Sequence, residues 1–212
     1  MSDPSLPEYV ETYDEPHHRR RFENAFARAY DVLIPPGTRT LYHRHTEDTF
    51  YVSVVAARPR EQALGGEPSA PFDLPAGVGI CRNHRSEPLI HQVTNTGETD
   101  MRMIGVEVKA SPGFGTAEML DVPGHQLVWE QERLRNYRIS LDPGGSTGEI
   151  DYPFAGITVA LSQASLLVQE RGGVERTVTV EAGDVVWHAA PTTTSIENVG
   201  EAPYSAFLAE WR

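Results

Sequence analysis

The sequence predicts an all-β chain built as two similar units in tandem. Two observations carry that expectation. The second half repeats the first, and short stretches rich in Val, Ile, Thr, Tyr and Phe recur between clusters of Gly, Pro and Asn. A displacement of 107 positions carries Pro16, His18, Glu23, Arg28, Tyr30, Pro36 and Gly37 onto Pro123, His125, Glu130, Arg135, Tyr137, Pro143 and Gly144. Apolar positions follow, with Phe22 meeting Trp129 and Ile34 meeting Leu141. Nearer the ends of the copies the displacement closes to 103, where Asn95, Gly97, Glu98 and Glu107 meet Asn198, Gly200, Glu201 and Glu210. Units of roughly 100 residues are an ordinary domain size. With 16 prolines and 18 glycines spread along the chain, long helices have little room.

Taken in order, residues 1–14 read as an arm, 15–121 as the first unit and 122–212 as the second. In the first unit the strand candidates are Ala29–Ile34, Thr49–Val55, Leu89–Thr94 and Met101–Val108. The turn signals are Pro35-Pro36-Gly37, Pro75-Ala76-Gly77 and Asn95-Thr96-Gly97. Residues 58–77 read as a long hairpin loop, and 115–122 as a turn of helix or the linker between copies. In the second unit the strand candidates are Ile157–Leu161, Ser165–Gln169, Thr177–Val180, Val185–Trp187 and Ala206–Ala209. Its turn signals, Asp142-Pro143-Gly144, Glu181-Ala182-Gly183 and Asn198-Val199-Gly200, match those of the first unit, so they are turn chemistry rather than ligand chemistry. Two β units of this size solve their edge-strand problem as closed or sandwiched sheets.

Composition narrows the function. The formal net charge of −12 argues against nucleic acid or an anionic membrane as partner, and the one basic knot, His17 to Arg21, is too short to change that. The single cysteine, Cys81, excludes an internal disulfide and suits a reducing cytosol. The first residues have no basic and apolar leader, and no run approaches the ~18 apolar residues of a membrane helix. A soluble cytoplasmic protein is expected. No GxGxxG, P-loop, GxSxG or HExxH pattern is present.

The two copies disagree where metal chemistry could sit. His43 and His45 are two apart in Thr40-Leu41-Tyr42-His43-Arg44-His45, so on a strand both imidazoles face one side. His91 lies in a second strand, and inward residues of separate strands in a barrel converge. Three imidazoles suit Fe, Zn, Cu, Ni or Mn and leave open positions for water, substrate or oxygen. The repeat places Ile150, Tyr152 and Thr194 at the matching positions of the second copy. A lone strand histidine is more often structural than a ligand, but three lost together from the sister copy reverse that weighting. His18 and His125 are kept in both copies and read as structural hydrogen-bonding residues. His17 reads as surface, and His188 as structural.

Gly37-x5-His43-x-His45, followed by an aromatic and β-branched strand, resembles the first cupin motif. His91-x3-Asn95-Thr96-Gly97, downstream of Pro75-Ala76-Gly77, resembles the second. Through the repeat the resemblance covers nearly the whole chain. It implies a bicupin: two double-stranded β-helix (jelly-roll) barrels, with the metal motif in the N-terminal copy only and a homodimer as a possible assembly, since barrel edges often make cupins dimerise. The motifs specify fold more than function, because cupins include dioxygenases, isomerases, decarboxylases, sugar enzymes, sensors and storage proteins. One departure matters. Cupins usually add a glutamate after a spacer of three or four residues, and here those spacings lead to Thr49 and Phe50. Glu47 shares the parity of His45 and is a candidate fourth ligand, while Asp48 could reach only through a bulge. A three-histidine set without a carboxylate resembles the sites of thiol dioxygenases and some diketone-cleaving dioxygenases.

Around the site, Tyr51 shares the parity of His43 and His45 and is a candidate donor or general acid. It reads equally as core packing. The first copy carries three extra residues in Cys81–Pro88, just before His91. That insertion is a candidate pocket rim, with Arg82, His84 or Arg85 meeting an anionic group, or else a solvated loop. The expected function is a small-molecule Fe(II) dioxygenase using His43, His45 and His91, with Tyr51 and His84 orienting substrate. The alternatives are a redox-neutral isomerase, lyase or cyclase using Zn, Ni or Mn as Lewis acid, and a binding module without catalysis.

Overall fold

The structure is a computed structural model and describes residues 9–113, 115 and 118–212. The first unit ends at Lys109 and the second begins at Ala110. Its strands are β1 (Val10–Glu11), β2 (His18–Glu23), β3 (Ala27–Ile34), β4 (His43–His45), β5 (Thr49–Ser53), β6 (Pro59–Ala63), β7 (Gly79–Arg82), β8 (Leu89–Asn95) and β9 (Met101–Val108). The one helical segment among the described residues is a 3-10 turn at Thr12–Asp14, so the chain is all-β as the composition requires. No helix among the described residues is long and apolar enough to cross a membrane.

From β3 to β9 successive strands alternate between two sheets. One sheet has the order β2-β3-β9-β5-β7 and the other β1-β4-β8-β6. That alternation is the double-stranded β-helix. It brings β4 and β8, far apart in sequence, side by side in one sheet. The second unit has β10 (His125–Glu130), β11 (Leu134–Leu141), β12 (Ile150–Tyr152), β13 (Gly156–Ala160), β14 (Ala164–Glu170), β15 (Arg176–Val180), β16 (Val185–His188), β17 (Thr192–Asn198) and β18 (Tyr204–Trp211). Its sheets, β10-β11-β18-β13-β16 and β12-β17-β14-β15, repeat the plan.

Central strands carry the apolar runs. β3 and β9 are buried along nearly their whole length and supply Ala27, Ala29, Tyr30, Val32, Ile34, Met101, Ile104, Val106 and Val108 to the core. The edge strands β2, β6 and β7 are partly exposed, and β2 and β6 are polar, as edges are when pairing with other chains is disfavoured. Residues 58–77, expected as a loop, are corrected on this ground. β6 pairs with β8 from Pro59↔Asn95 to Ala63↔His91, and its Pro-Arg-Glu-Gln-Ala sequence is tolerated because the strand lies at an edge. Residues 1–8 of the expected arm lie outside the described residues, but Val10 and Glu11 pair in parallel with His43 and Arg44. The expected turn at 115–122 lies partly outside the described residues, at Thr116 and Ala117.

Both copies share the same polar framework. Asn95 is fully buried; its Nδ2 donates to the carbonyls of Ile34 and Thr99, and its Oδ1 accepts from Gly97 N. Asn198 does the same with Leu141, Ala202 and Gly200. Arg28 pairs with Glu107 at 3.0 Å and Arg135 with Glu210 at 3.1 Å. A buried amide satisfied at both ends fixes the turn, whereas leaving it unpaired would cost about 1–3 kcal/mol.

Candidate metal centre

Register builds the site. In the antiparallel pair β4–β8, His43 lies directly opposite His91, which sets their Cβ atoms about 5 Å apart. His45, two residues on, shares the face of His43. The three rings form a triangle with centroids 4.7, 4.9 and 5.1 Å apart. One ligand nitrogen from each lies within 4.8 Å of the others, and the residues are 1%, 2% and 9% exposed.

Hydrogen bonds orient the rings. His43 Nδ1 donates to the Leu41 carbonyl at 2.9 Å, which leaves Nε2 as the lone-pair nitrogen. His45 Nδ1 lies 3.2 Å from Thr12 Oγ1 and 3.1 Å from Tyr51 Oη. His45 Nε2 and His91 Nε2 are 3.2 Å apart, a separation at which two lone pairs need a proton or a cation between them. His91 Nδ1 is buried without a hydrogen-bond partner. Burial, reinforced by the neighbouring imidazoles, holds His45 and His91 well below the usual histidine range, and burial also lowers His43. Three neutral, convergent imidazoles are a donor set that fits a divalent transition metal.

Tyr51 and His84 join the cluster. Tyr51 Oη is also 3.1 Å from His84 Nε2, and the His84 ring stacks on His45 at 4.8 Å. If His45 donates from Nδ1 to the phenol and the phenol donates to His84, every hydrogen in the chain is used. Burial pushes the Tyr51 phenol well above its ordinary range and lowers His84. His18 stacks on Tyr30, meets the edge of His43 and bonds the Thr12 carbonyl at 2.7 Å. It therefore both bonds the backbone and lines the pocket.

Glu47, the candidate fourth ligand, is placed elsewhere. Its carboxylate accepts from Arg85 at 2.8 and 3.3 Å, and Asp48 Oδ1 accepts from Arg85 N at 3.0 Å. The two carboxylates pin the inserted segment that carries His84. Among the described residues the metal-competent group consists of the three histidines alone. The cluster opens into a pocket with a cavity volume of about 90 Å³. Its walls include Val32, Ile34, Leu74, Ile80, Met101 and Met103, and its charged lining residues are Glu61 and Arg82.

Two contributors escaped the sequence reading. Thr12 lay in the stretch taken for an arm and carried no signal. Gly105 interrupts the apolar strand Met101–Val108, a known mark of close approach. A Cβ there would sit 2.4 Å from Tyr30 Cζ, so the Tyr30 ring lies directly across its Cα.

No family model and no curated protein matches the chain. Solved structures do. A salicylate 1,2-dioxygenase from Pseudoaminobacter salicylatoxidans, in complex with gentisate, aligns with a TM-score of 0.65 over 95% of this chain and 75% of its own, at 13% identity. The oxalate decarboxylase of Lactobacillus farciminis, as a formate complex, aligns at 0.59 over 92% of this chain and 84% of its own, at 14% identity. A Bacillus subtilis oxalate decarboxylase with Mn(II) centres aligns at 0.57 over 92% and 75%, at 12% identity.

Proposed function

We propose that this chain, which has the cupin fold, is a metal-dependent enzyme acting on a small molecule, specifically an Fe(II) dioxygenase. In this reading His43, His45 and His91 hold the metal. The observation that carries the reading is the ligand set: three neutral imidazoles converge with no carboxylate among them. Bound iron would supply electrons for oxygen chemistry and open positions for substrate.

The surrounding residues have definable tasks. Leu41 and Thr12 hold His43 and His45 through their Nδ1 atoms, aiming the remaining nitrogens at the metal. The apolar walls exclude water from the reacting face. Tyr51 and His84 form a phenol–imidazole pair able to give or take a proton beside the substrate. That pair also favours a second reading, a redox-neutral lyase or isomerase in which Zn, Ni or Mn polarises the substrate.

The test is elemental analysis of protein purified without an affinity tag or added metal, with His43→Ala alongside, followed by oxygen-uptake screens. About one iron per chain, lost in the variant, with substrate-dependent oxygen uptake, is the expected result. Zinc, nickel or manganese without oxygen consumption would transfer the assignment to the redox-neutral enzyme. A wild-type protein that retains no metal even after reconstitution would sink both readings and leave a binding module.

A further inference from the structure

Strand register in the first unit aligns Arg28, Glu107, Thr49 and Arg82 in one row across β3, β9, β5 and β7. Arg28 is taken up by Glu107 at 3.0 Å and Glu23 at 3.2 Å. Arg82, at the far end of the row, is an exposed residue of the metal pocket's lining, and its side chain makes no hydrogen bond or ion pair among the described residues. An exposed guanidinium at the rim of a pocket that also carries apolar walls is a planar fork of donors with no acceptor among the described residues.

Charge points the same way. Neutral imidazoles leave a divalent ion's two positive charges uncompensated. Arg82 adds one and Glu61 removes one, so the loaded pocket keeps a formal excess of two positive charges. The second unit lacks this feature. There the matching register position is His188, opposite Gly156, and its Nε2 is 2.6 Å from Thr158 Oγ1.

We propose that the pocket takes a small organic acid, with an apolar body against the cavity walls and its carboxylate in the fork of Arg82. The excess charge rests on the metal reading above; the role of Arg82 does not. A carboxylate matches a single guanidinium with two parallel N–H···O bonds, whereas a phosphate brings a further oxygen that the fork does not reach.

The experiment titrates benzoate and hexanoate, against benzamide and hexanamide, into metal-loaded and metal-free protein by calorimetry. Wild type, Arg82→Gln and Arg82→Lys are compared, and metal content is measured on the same samples. The acids should bind wild type more tightly than the amides. Arg82→Gln should weaken the acids by roughly 10- to 100-fold, the loss expected for a charged hydrogen-bonded pair, and leave the amides unchanged. Arg82→Lys, keeping charge but not the fork, should fall between. Acids bound no better than amides, neither acid bound at low-millimolar concentration, acids bound equally by Arg82→Gln, or phenyl phosphate preferred over benzoate would each overturn the inference. An Arg82-dependent preference that persists in protein unable to retain metal would keep the substrate class and reject the metal. Full metal occupancy without that preference would do the reverse.

Discussion

In the first unit β4 faces β8 with His43 opposite His91; in the second β12 faces β17 with Ile150 opposite Thr194. The backbone pairing is the same, and so are the buried asparagine and the arginine–glutamate pair beneath it. Around the triad the difference spreads along whole rows. Tyr30, Gly105, Tyr51 and Ile80 in one unit stand where Tyr137, Leu208, Thr158 and Val186 stand in the other. Tyr137 turns its hydroxyl to Glu210 at 3.2 Å, whereas Tyr30 lies across Gly105. The two units share their framework, and in the first a glycine makes room for the Tyr30 ring.

The largest expected effect comes from giving the first unit the second unit's residue at a ligand position. His91→Thr should abolish metal retention and leave the metal-free melting temperature near wild type, because Thr194 is buried and hydrogen-bonded at that place in the sister barrel. Elemental analysis with thermal denaturation reads both. Wild-type metal content in the variant would show that the metal, if any, is held elsewhere.

A swap across the row sharpens the comparison next. Gly105→Leu alone should destabilise by about 1–3 kcal/mol, since a side chain there meets the Tyr30 ring. Tyr51→Thr alone should cost about 3 kcal/mol from the void it leaves. The double variant copies the sister row and frees Tyr30 to turn toward Glu107 as Tyr137 turns to Glu210. It should recover at least about 1 kcal/mol over the sum of the single changes in denaturant unfolding. Strict additivity would mean that these rows are not alternative packings of one space.

What was legible before the structure follows the same division. The repeat offsets placed Ile150, Tyr152 and Thr194 against the three histidines, and strand register pairs them that way. Central strands such as Met101–Val108 announced themselves because both faces are buried. Edge strands such as Pro59–Ala63 did not, because their solvent side needs no apolar residue. Glu47 had the parity of a ligand, but parity does not say which cation a carboxylate meets, and its carboxylate is taken up by Arg85 at 2.8 Å. Thr12 reaches His45 only because Val10 and Glu11 add to β4 in parallel, a pairing that two residues cannot signal.

The smallest effect separates the units by pH. Burial holds His188 down to about 4 from its ordinary 6.5. The folded second unit therefore binds fewer protons than its unfolded chain. The stability associated with His188 is fully present above pH 6.5 and is lost as pH falls toward and through about 4. His125, also lowered by burial and bonded to Tyr152 at 3.0 Å, adds to the same trend. All three tryptophans, Trp129, Trp187 and Trp211, belong to the second unit, so their fluorescence follows its unfolding alone. Between pH 6.5 and 4 the wild-type midpoint should drop, and His188→Gln, which keeps a partner for Thr158 but cannot titrate in this window, should flatten the drop without abolishing it. Parallel curves for the two proteins would assign the acid sensitivity to other groups and leave His188 as packing.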